Sequence, residues 1–156
     1  MKLLSDACEY ALRAVVWLAQ QPQDHYTVGQ IAEATSAAPG YLVKVLQALA
    51  KADILAARRG SQGGFKLTRS PAELSVLDVI RAVDPPQRIQ TCPLGRSSHD
   101  KALCPLHWRI DQAIAALEQS FAQVTIQDLI RETVRTQGVC RALIANPSPV
   151  IGSVEI

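Results

Sequence analysis

Two amphipathic helical patterns separated by a short turn constrain the fold of this chain more than any other feature. Thr27 is suited to cap a first helix over residues 28–33, and residues 35–40 have the composition of a turn. Pro39 opens a second helix over residues 39–52, at a position where proline is tolerated. The apolar side chains of this second helix repeat at helical spacing, at Leu42, Val45, Leu46 and Leu49. Together these patterns predict a helix-turn-helix unit.

A glycine-rich segment, RRGSQGG, follows the second helix and lies between two short runs with strand character. We expect residues 54–57 and 65–68 to form a β-hairpin with this segment at its tip, which is the wing of a winged helix. The glycine spacing fits neither GxGxxG nor GxxxxGK[ST], so a nucleotide-binding loop is not indicated. The predicted fold class is therefore mostly α: a winged helix-turn-helix domain with a small β-hairpin wing, followed by a long dimerisation helix.

The charges are unevenly distributed, although the formal net charge is only +2. Between Thr35 and Ser70 there are six basic residues and one acid, whereas residues 72–156 contain eight basic and nine acidic residues. A local basic excess suits a polyanion such as DNA, and the alternative interpretation is an ordinary solvated surface. No Ser/His/Asp arrangement or catalytic carboxylate pair stands out, so an enzyme is not predicted.

The remaining elements are predicted to be helical. Further helices are expected over residues 5–20, 74–83, 105–123 and 126–136. Ser5 or Asp6 can cap the first of these, and Thr125 the last. Apolar residues of the long helix follow at spacings of 4, 3, 4 and 3, at Ile110, Ile114, Leu117, Phe121 and Val124. This seam predicts a dimerisation helix, and the alternative is packing on its own domain.

Neither a membrane protein nor an exported one is indicated. No apolar run approaches the roughly 20 residues that cross a bilayer. The N-terminus, MKLLSDACEYALRA, contains two acids and lacks a small-residue cleavage site, so it is a poor signal peptide. We therefore expect a cytoplasmic protein with no membrane partner.

Two cysteines and a histidine lie close together in the segment TCPLGRSSHDKALCPLH. Cys92 and Cys104 are separated by twelve positions, and His107 follows three positions later. In a cytoplasmic protein, cysteines are more often thiols, metal ligands or redox sensors than a disulfide framework. Thiolate and imidazole bind iron–sulfur clusters and zinc. A cluster, a zinc site, a reversible disulfide and inert thiols all remain open on this pattern.

Several stretches together resemble a known family. They are MKLLSDACEYALRA, RRGSQGGFKLTR, SVLDVIRAVD, the cysteine segment and SFAQVTIQDLI. Over about residues 1–135 the chain resembles the IscR/NsrR group of bacterial winged-helix repressors. This resemblance implies a homodimeric transcriptional regulator, a roughly palindromic duplex DNA operator, and an iron–sulfur cluster in the loop before the dimerisation helix. The implied organisation is a DNA-binding domain (1–84), a cofactor-binding loop (85–104), the dimerisation helix and a following helix (105–136), and a partly disordered tail (137–156).

The resemblance also implies cluster ligands within the loop. Cys92 matches the first cysteine of the family's loop, Cys104 the last, and His107 a histidine three residues beyond it. The middle cysteine has no counterpart, because its position falls near Ser98. Two thiolates and one imidazole make three ligands, so a fourth is needed.

That fourth ligand is implied to come from the first helix of the partner subunit. A carboxylate early in this helix is a ligand in the nitric-oxide-sensing and redox-sensing relatives, and Glu9 matches it. Cys8 is the alternative, and His99 is a reserve ligand in the loop. A set with few thiolates favours a 2Fe–2S over a 4Fe–4S cluster, and the signal would be redox state, nitric oxide or iron–sulfur status.

For the DNA interface, the resemblance implies a recognition helix in the major groove and a basic wing on the minor groove or the phosphates. Val43 replaces a glutamate of the cluster-biogenesis regulators, so their operator is not implied. The candidate DNA contacts are Thr27, Pro39, Gly40, Tyr41, Val43, Lys44, Gln47, Lys51, Arg58, Arg59, Gly60, Ser61 and Lys66. An electron-transfer protein is the remaining alternative, and it would leave the basic wing unexplained.

Overall fold

The computed structural model describes residues 3–21, 24–60, 63–93, 95 and 103–135. Within these ranges the helices are α1 (Asp6–Leu18), α2 (Val28–Thr35), α3 (Pro39–Lys51), α4 (Val76–Val83), α5 (Pro105–Ala122) and α6 (Ile126–Arg135). Strands β1 (Leu55–Arg58) and β2 (Gly64–Leu67) form one antiparallel hairpin. The predicted fold class, a mostly helical winged helix, is confirmed. Ser61, Ser98, His99 and the tail 137–156 lie outside the described residues.

Side-chain caps determine where the helices begin. The Ser5 hydroxyl accepts a hydrogen bond from the Cys8 N–H at 3.3 Å and caps α1. Thr27 forms a reciprocal capping box with Gln30 at the start of α2, and Thr125 accepts from a backbone N–H to begin α6. Because each hydroxyl satisfies an N–H that the helix leaves unpaired, the three predicted caps are confirmed.

The hairpin is displaced by one residue from the predicted strands. β1 begins at Leu55 rather than Ile54, and β2 begins at Gly64 rather than Phe65. The Ile54 N–H is already bonded to the Leu49 carbonyl at the end of α3, at 3.0 Å, so Ile54 completes the helix end instead of opening the strand. The wing tip therefore lies between Arg58 and Gly64.

The core lies between α1 and the helices around it, since α1 contacts α2, α3 and α4. The predicted inward face of α3 is confirmed by four buried side chains, those of Leu42, Val45, Leu46 and Leu49. Their burial fixes the rotation of α3, so that its polar face points outward. Among the helices described, none is long and apolar enough to cross a membrane.

Candidate DNA interface and cysteine loop

The outward face of α3 presents six of the thirteen residues predicted to contact DNA. Its exposed residues are Pro39, Gly40, Tyr41, Lys44 and Gln47, and Val43 is half-buried beside them. The Tyr41 side chain is 44% exposed, and its ring meets the Tyr10 ring of α1 edge-on with centroids 5.8 Å apart. This contact with α1 fixes one side of the Tyr41 ring, and the exposed part of the ring is available to a ligand that binds the outward face of α3.

The wing presents two cations without competing acids. Arg58 and Arg59 are exposed, and neither forms an ion pair with another residue of the described ranges. The tip turns tightly, because the Gly63 N–H donates to the Gly60 carbonyl at 2.9 Å. A Cβ on Gly63 would lie 2.4 Å from the Arg58 carbonyl oxygen, so only glycine fits there. Exposed guanidinium groups on such a turn suit phosphates or a narrow minor groove.

Three other candidate DNA contacts have different surroundings. Lys66 Nζ lies 2.7 Å from the Asp24 carboxylate, and this hydrogen bond is the main cause of the lowered pKa of Asp24. Lys51 is exposed at the C-terminal end of α3, about 18 Å along the helix axis from Pro39. The Thr27 hydroxyl is engaged in its capping box. Thr27 and Lys66 are therefore engaged in contacts of their own domain, whereas Lys51 is exposed.

The cysteine loop meets α5 at a thiol–imidazole pair. Cys104 is the N-cap residue of α5, and no side chain there bonds to the unpaired N–H groups of the first turn. Its Sγ lies 3.4 Å from Nδ1 of His107, and both side chains are half-buried. A thiolate and an imidazole this close together are suited to bind one metal centre through sulfur and nitrogen.

Cys92 lies on the segment of residues 84–93, called the arm here, which follows α4 and begins the cysteine loop. Its side chain is half-buried, and its carbonyl accepts a hydrogen bond from the Gly95 N–H at 3.0 Å. None of Cys8, Cys92 and Cys104 is in a disulfide. Within one described chain, no three histidine, cysteine or acidic side chains are gathered as a metal site. The structure thus joins Cys104 to His107, and within the described residues it does not gather Cys92 or Glu9 with them as a metal site.

The two candidate ligands on α1 have opposite environments. Cys8 is 1% exposed and points inward, with Sγ 3.9 Å from the Asp84 carbonyl, and burial raises the pKa of its thiol. The Glu9 side chain is 45% exposed and lies 3.3 Å from the Arg13 guanidinium. Consecutive helical residues point about 100° apart, which accounts for the difference. Glu9 is therefore accessible to a second molecule, whereas Cys8 is not.

Arg88 and Asp111 form an ion pair that the sequence pattern does not reveal. The side chain of Arg88, on the same arm as Cys92, donates two hydrogen bonds to the Asp111 carboxylate, at 2.7 and 2.6 Å. The Ile89 N–H donates a third, at 2.9 Å. The bonds from Arg88 are the main cause of the lowered pKa of Asp111, which is 7% exposed. The available signal was spacing: Asp111 follows His107 by four residues and so shares its helix face.

The apolar seam of α5 is divided between two environments. Phe121 and Val124 pack against the core of their own domain, while Ile114 and Leu117 line a cavity of about 360 Å³ together with Cys8. Ile110 is 42% exposed. Two further apolar side chains of the first turns, Leu106 and Trp108, are 65% and 46% exposed. Packing on the same domain thus accounts for the C-terminal half of the seam, and the N-terminal half is exposed, so the predicted dimer contact stays a prediction.

Comparison with known proteins identifies the family. The Rrf2 family, described as an iron-dependent transcriptional regulator, matches residues 4–132. This chain belongs to the Rrf2 family. Its fold is shared by T. potens IscR (TM-score 0.70, 23% identity, 88% of this chain and 91% of the other). It is also shared by CymR, the global cysteine regulator of B. subtilis (TM-score 0.65, 18% identity, 85% and 99%), and by the oxidized form of Staphylococcus aureus CymR (TM-score 0.58, 22% identity, 83% and 95%).

Membership of the Rrf2 family establishes a DNA-binding transcriptional regulator. It accounts for the winged helix, the exposed face of α3 and the exposed arginines of the wing. At these identities the structural neighbours show the fold alone. The chemistry of the cysteine loop in this Rrf2 chain must therefore be argued from its own residues.

Proposed function

We propose that this chain is a homodimeric, cytoplasmic transcriptional repressor that senses redox state, nitric oxide or iron–sulfur status through a 2Fe–2S cluster. Its DNA partner is a roughly palindromic duplex, contacted by the first turns of α3 and by the wing. The observation that carries the sensing part is the Cys104–His107 pair, with Sγ and Nδ1 3.4 Å apart at the start of α5. Both side chains are half-buried at the start of α5, and DNA binding by α3 and the wing does not require a thiol and an imidazole at this position.

The donor set fits an iron–sulfur centre of mixed ligation. Cys104 and His107 would supply one thiolate and one imidazole, and Cys92 would supply the second thiolate from the facing arm. Imidazole replaces thiolate on one iron of Rieske-type 2Fe–2S clusters and raises their reduction potential. When bound, the cluster would supply a one-electron redox centre that is also open to nitric oxide. The chain's own residues hold it at the junction of the DNA-binding domain and α5.

Dimerisation would complete the site. Within one described chain Glu9 is exposed and not joined to the loop, whereas Cys8 is sealed in the core. These environments favour Glu9 of a second subunit as the fourth ligand. The exposed apolar side chains at the start of α5, Leu106 and Ile110, are suited to bring that second subunit close. A change in ligation would then change the angle between two DNA-reading heads.

Anaerobic purification tests this proposal. The protein should be coloured and contain iron and acid-labile sulfide in equal, stoichiometric amounts, with the visible spectrum of a 2Fe–2S cluster. A colourless protein that takes up neither iron nor sulfide after anaerobic reconstitution would contradict the cluster. Zinc found in place of iron would show that the same residues form a zinc site.

A thiol switch on the same DNA-binding fold is the second candidate. It is favoured by the placement of Cys92 and Cys104, which are both half-buried and outside any disulfide. An oxidized form is also known for one structural neighbour, Staphylococcus aureus CymR. This candidate predicts an iron-free protein in which mild oxidation joins Cys92 to Cys104 and changes DNA affinity. An electron-transfer protein without DNA binding is disfavoured by the family.

A further inference from the structure

The Arg88–Asp111 pair belongs to a row of four charges that links three parts of the molecule. Arg81 of α4 lies 2.8 Å from the Glu118 carboxylate of α5, and Arg88 lies 3.8 Å from the same carboxylate. The Glu118 side chain is 13% exposed and that of Asp111 is 10% exposed, so both acids are largely shielded from water. Shielded ion pairs with bidentate geometry are screened less than surface pairs and hold a fixed orientation.

These acids lie on the same face of α5 as the thiol–imidazole pair. Cys104, His107, Asp111 and Glu118 follow at spacings of three, four and seven, which keeps all four on one side of the helix. The helical rise puts Asp111 about 6 Å along the axis from His107. The face of α5 that carries the candidate ligands is thus the same face that binds the arm through hydrogen bonds to Asp111.

The contacts between Asp111 and the arm lie close to Cys92 in the chain. The Ile89 N–H is bonded to Asp111, and Cys92 follows Ile89 by three positions. Three residues span at most about 10 Å of extended chain. Since Asp111 is itself about 10 Å along the axis from Cys104, the anchored arm can bring Cys92 to the N-terminal end of α5. If the arm did not contact Asp111, its position relative to α5 would not be fixed, and neither would the distance from Cys92 to Cys104.

We propose that Arg88 and Asp111 are positioning residues that hold the arm on α5, so that Cys92 stays within reach of Cys104 and His107. Glu118 and Arg81 anchor the same arm to α4 of the DNA-binding domain. The proposal concerns the site assigned above and so rests on the proposed function, but the distance between two thiols can be measured with no cofactor bound.

The test is the rate at which a short bismaleimide bridges Cys92 and Cys104 in the cofactor-free protein, with bridged peptides identified by mass spectrometry. Asp111→Asn removes the charge at constant size, and Arg88→Gln removes the other partner at a more exposed position, in case the first variant folds poorly. Both should lower the bridging rate on the order of tenfold, because an arm that is no longer anchored lowers the effective concentration of one thiol near the other. Arg88→Lys, which keeps the charge but not the two-pronged geometry, should restore part of the rate.

Two controls separate positioning from general damage. Glu33→Gln also removes one negative charge, at an exposed position of α2, and should bridge like the wild type. The rate with a monofunctional maleimide should not fall in any variant, since access to each thiol is retained. A wild type that does not bridge, or an Asp111→Asn and an Arg88→Gln variant that both bridge at the wild-type rate, would overturn the proposal. Failure of the iron–sulfur assignment would instead appear in the metal analysis and leave these rates unchanged.

Discussion

Replacing Cys104 with alanine is expected to reduce the iron and sulfide of the anaerobically purified protein to background. Cys104 Sγ and His107 Nδ1 are 3.4 Å apart, so the change leaves the imidazole as the only candidate ligand on α5. The remaining ligands would be Cys92, His107 and Glu9, of which only Cys92 supplies a thiolate. Protein-bound clusters are normally held by four ligands, so this set is one short. The measurement is iron and sulfide content per chain with the visible spectrum, before and after reconstitution.

Cys8→Ala is the matched control for this result. It also removes a thiol, but that thiol is 1% exposed and faces the core. Its loss should leave the iron content unchanged and should lower stability modestly, because a small buried group is removed. If Cys104→Ala retained a full complement of iron and sulfide, the ligand assignment would be wrong. If Cys8→Ala lost the iron while Glu9→Gln kept it, the fourth ligand would be Cys8 rather than Glu9.

Removing the two wing arginines is expected to weaken binding to duplex DNA about 10- to 100-fold, or about 1.4–2.8 kcal/mol, because charges that would contact phosphate are lost. Arg58 and Arg59 are exposed and have no acidic partner among the residues described, so their full charge is available to phosphate. A dimer would present the pair twice. Fluorescence anisotropy of the Arg58→Ala/Arg59→Ala variant over a salt series measures both the affinity and the number of charges lost.

The slope of log affinity against log salt separates a DNA contact from a fold effect. Each phosphate contact removed should reduce this slope by about one. Arg131→Ala, which removes an exposed charge from α6, should leave both affinity and slope at wild-type values. A wing variant with the wild-type salt slope would show that Arg58 and Arg59 make no phosphate contact.

The winged helix could be predicted because each of its parts has a local cause. Thr27 begins α2 by capping, and Pro39 is tolerated only in the first turn of α3. The period of the four buried residues of α3 then fixes which face is left for DNA. The strand boundaries were displaced by one residue, because the Ile54 N–H is satisfied by the preceding helix, a tertiary detail that strand propensity does not include.

The candidate site was less predictable because it depends on contacts between distant segments. Cys92, Cys104 and His107 stand out by residue type, but Arg88 and Asp111 are ordinary charges in the sequence. Their importance arises only when the arm folds onto α5, 23 residues away along the chain. Likewise, the seam spacing could not tell which of its residues face the chain's own core and which remain exposed. The environments of Cys8 and Glu9 follow from the rotation of α1, which the many small apolar residues of that helix leave undetermined.

We expect the occupancy of the cysteine loop to control DNA affinity. A paired titration under anaerobic conditions measures this control, with reconstituted and chelator-stripped wild-type protein on the same duplexes. The duplexes are selected from a random library by each form in turn. The two forms should differ in affinity by roughly 5- to 150-fold on at least one selected sequence, the usual range of coupling between two sites. Equal affinities on every selected duplex would contradict this expectation.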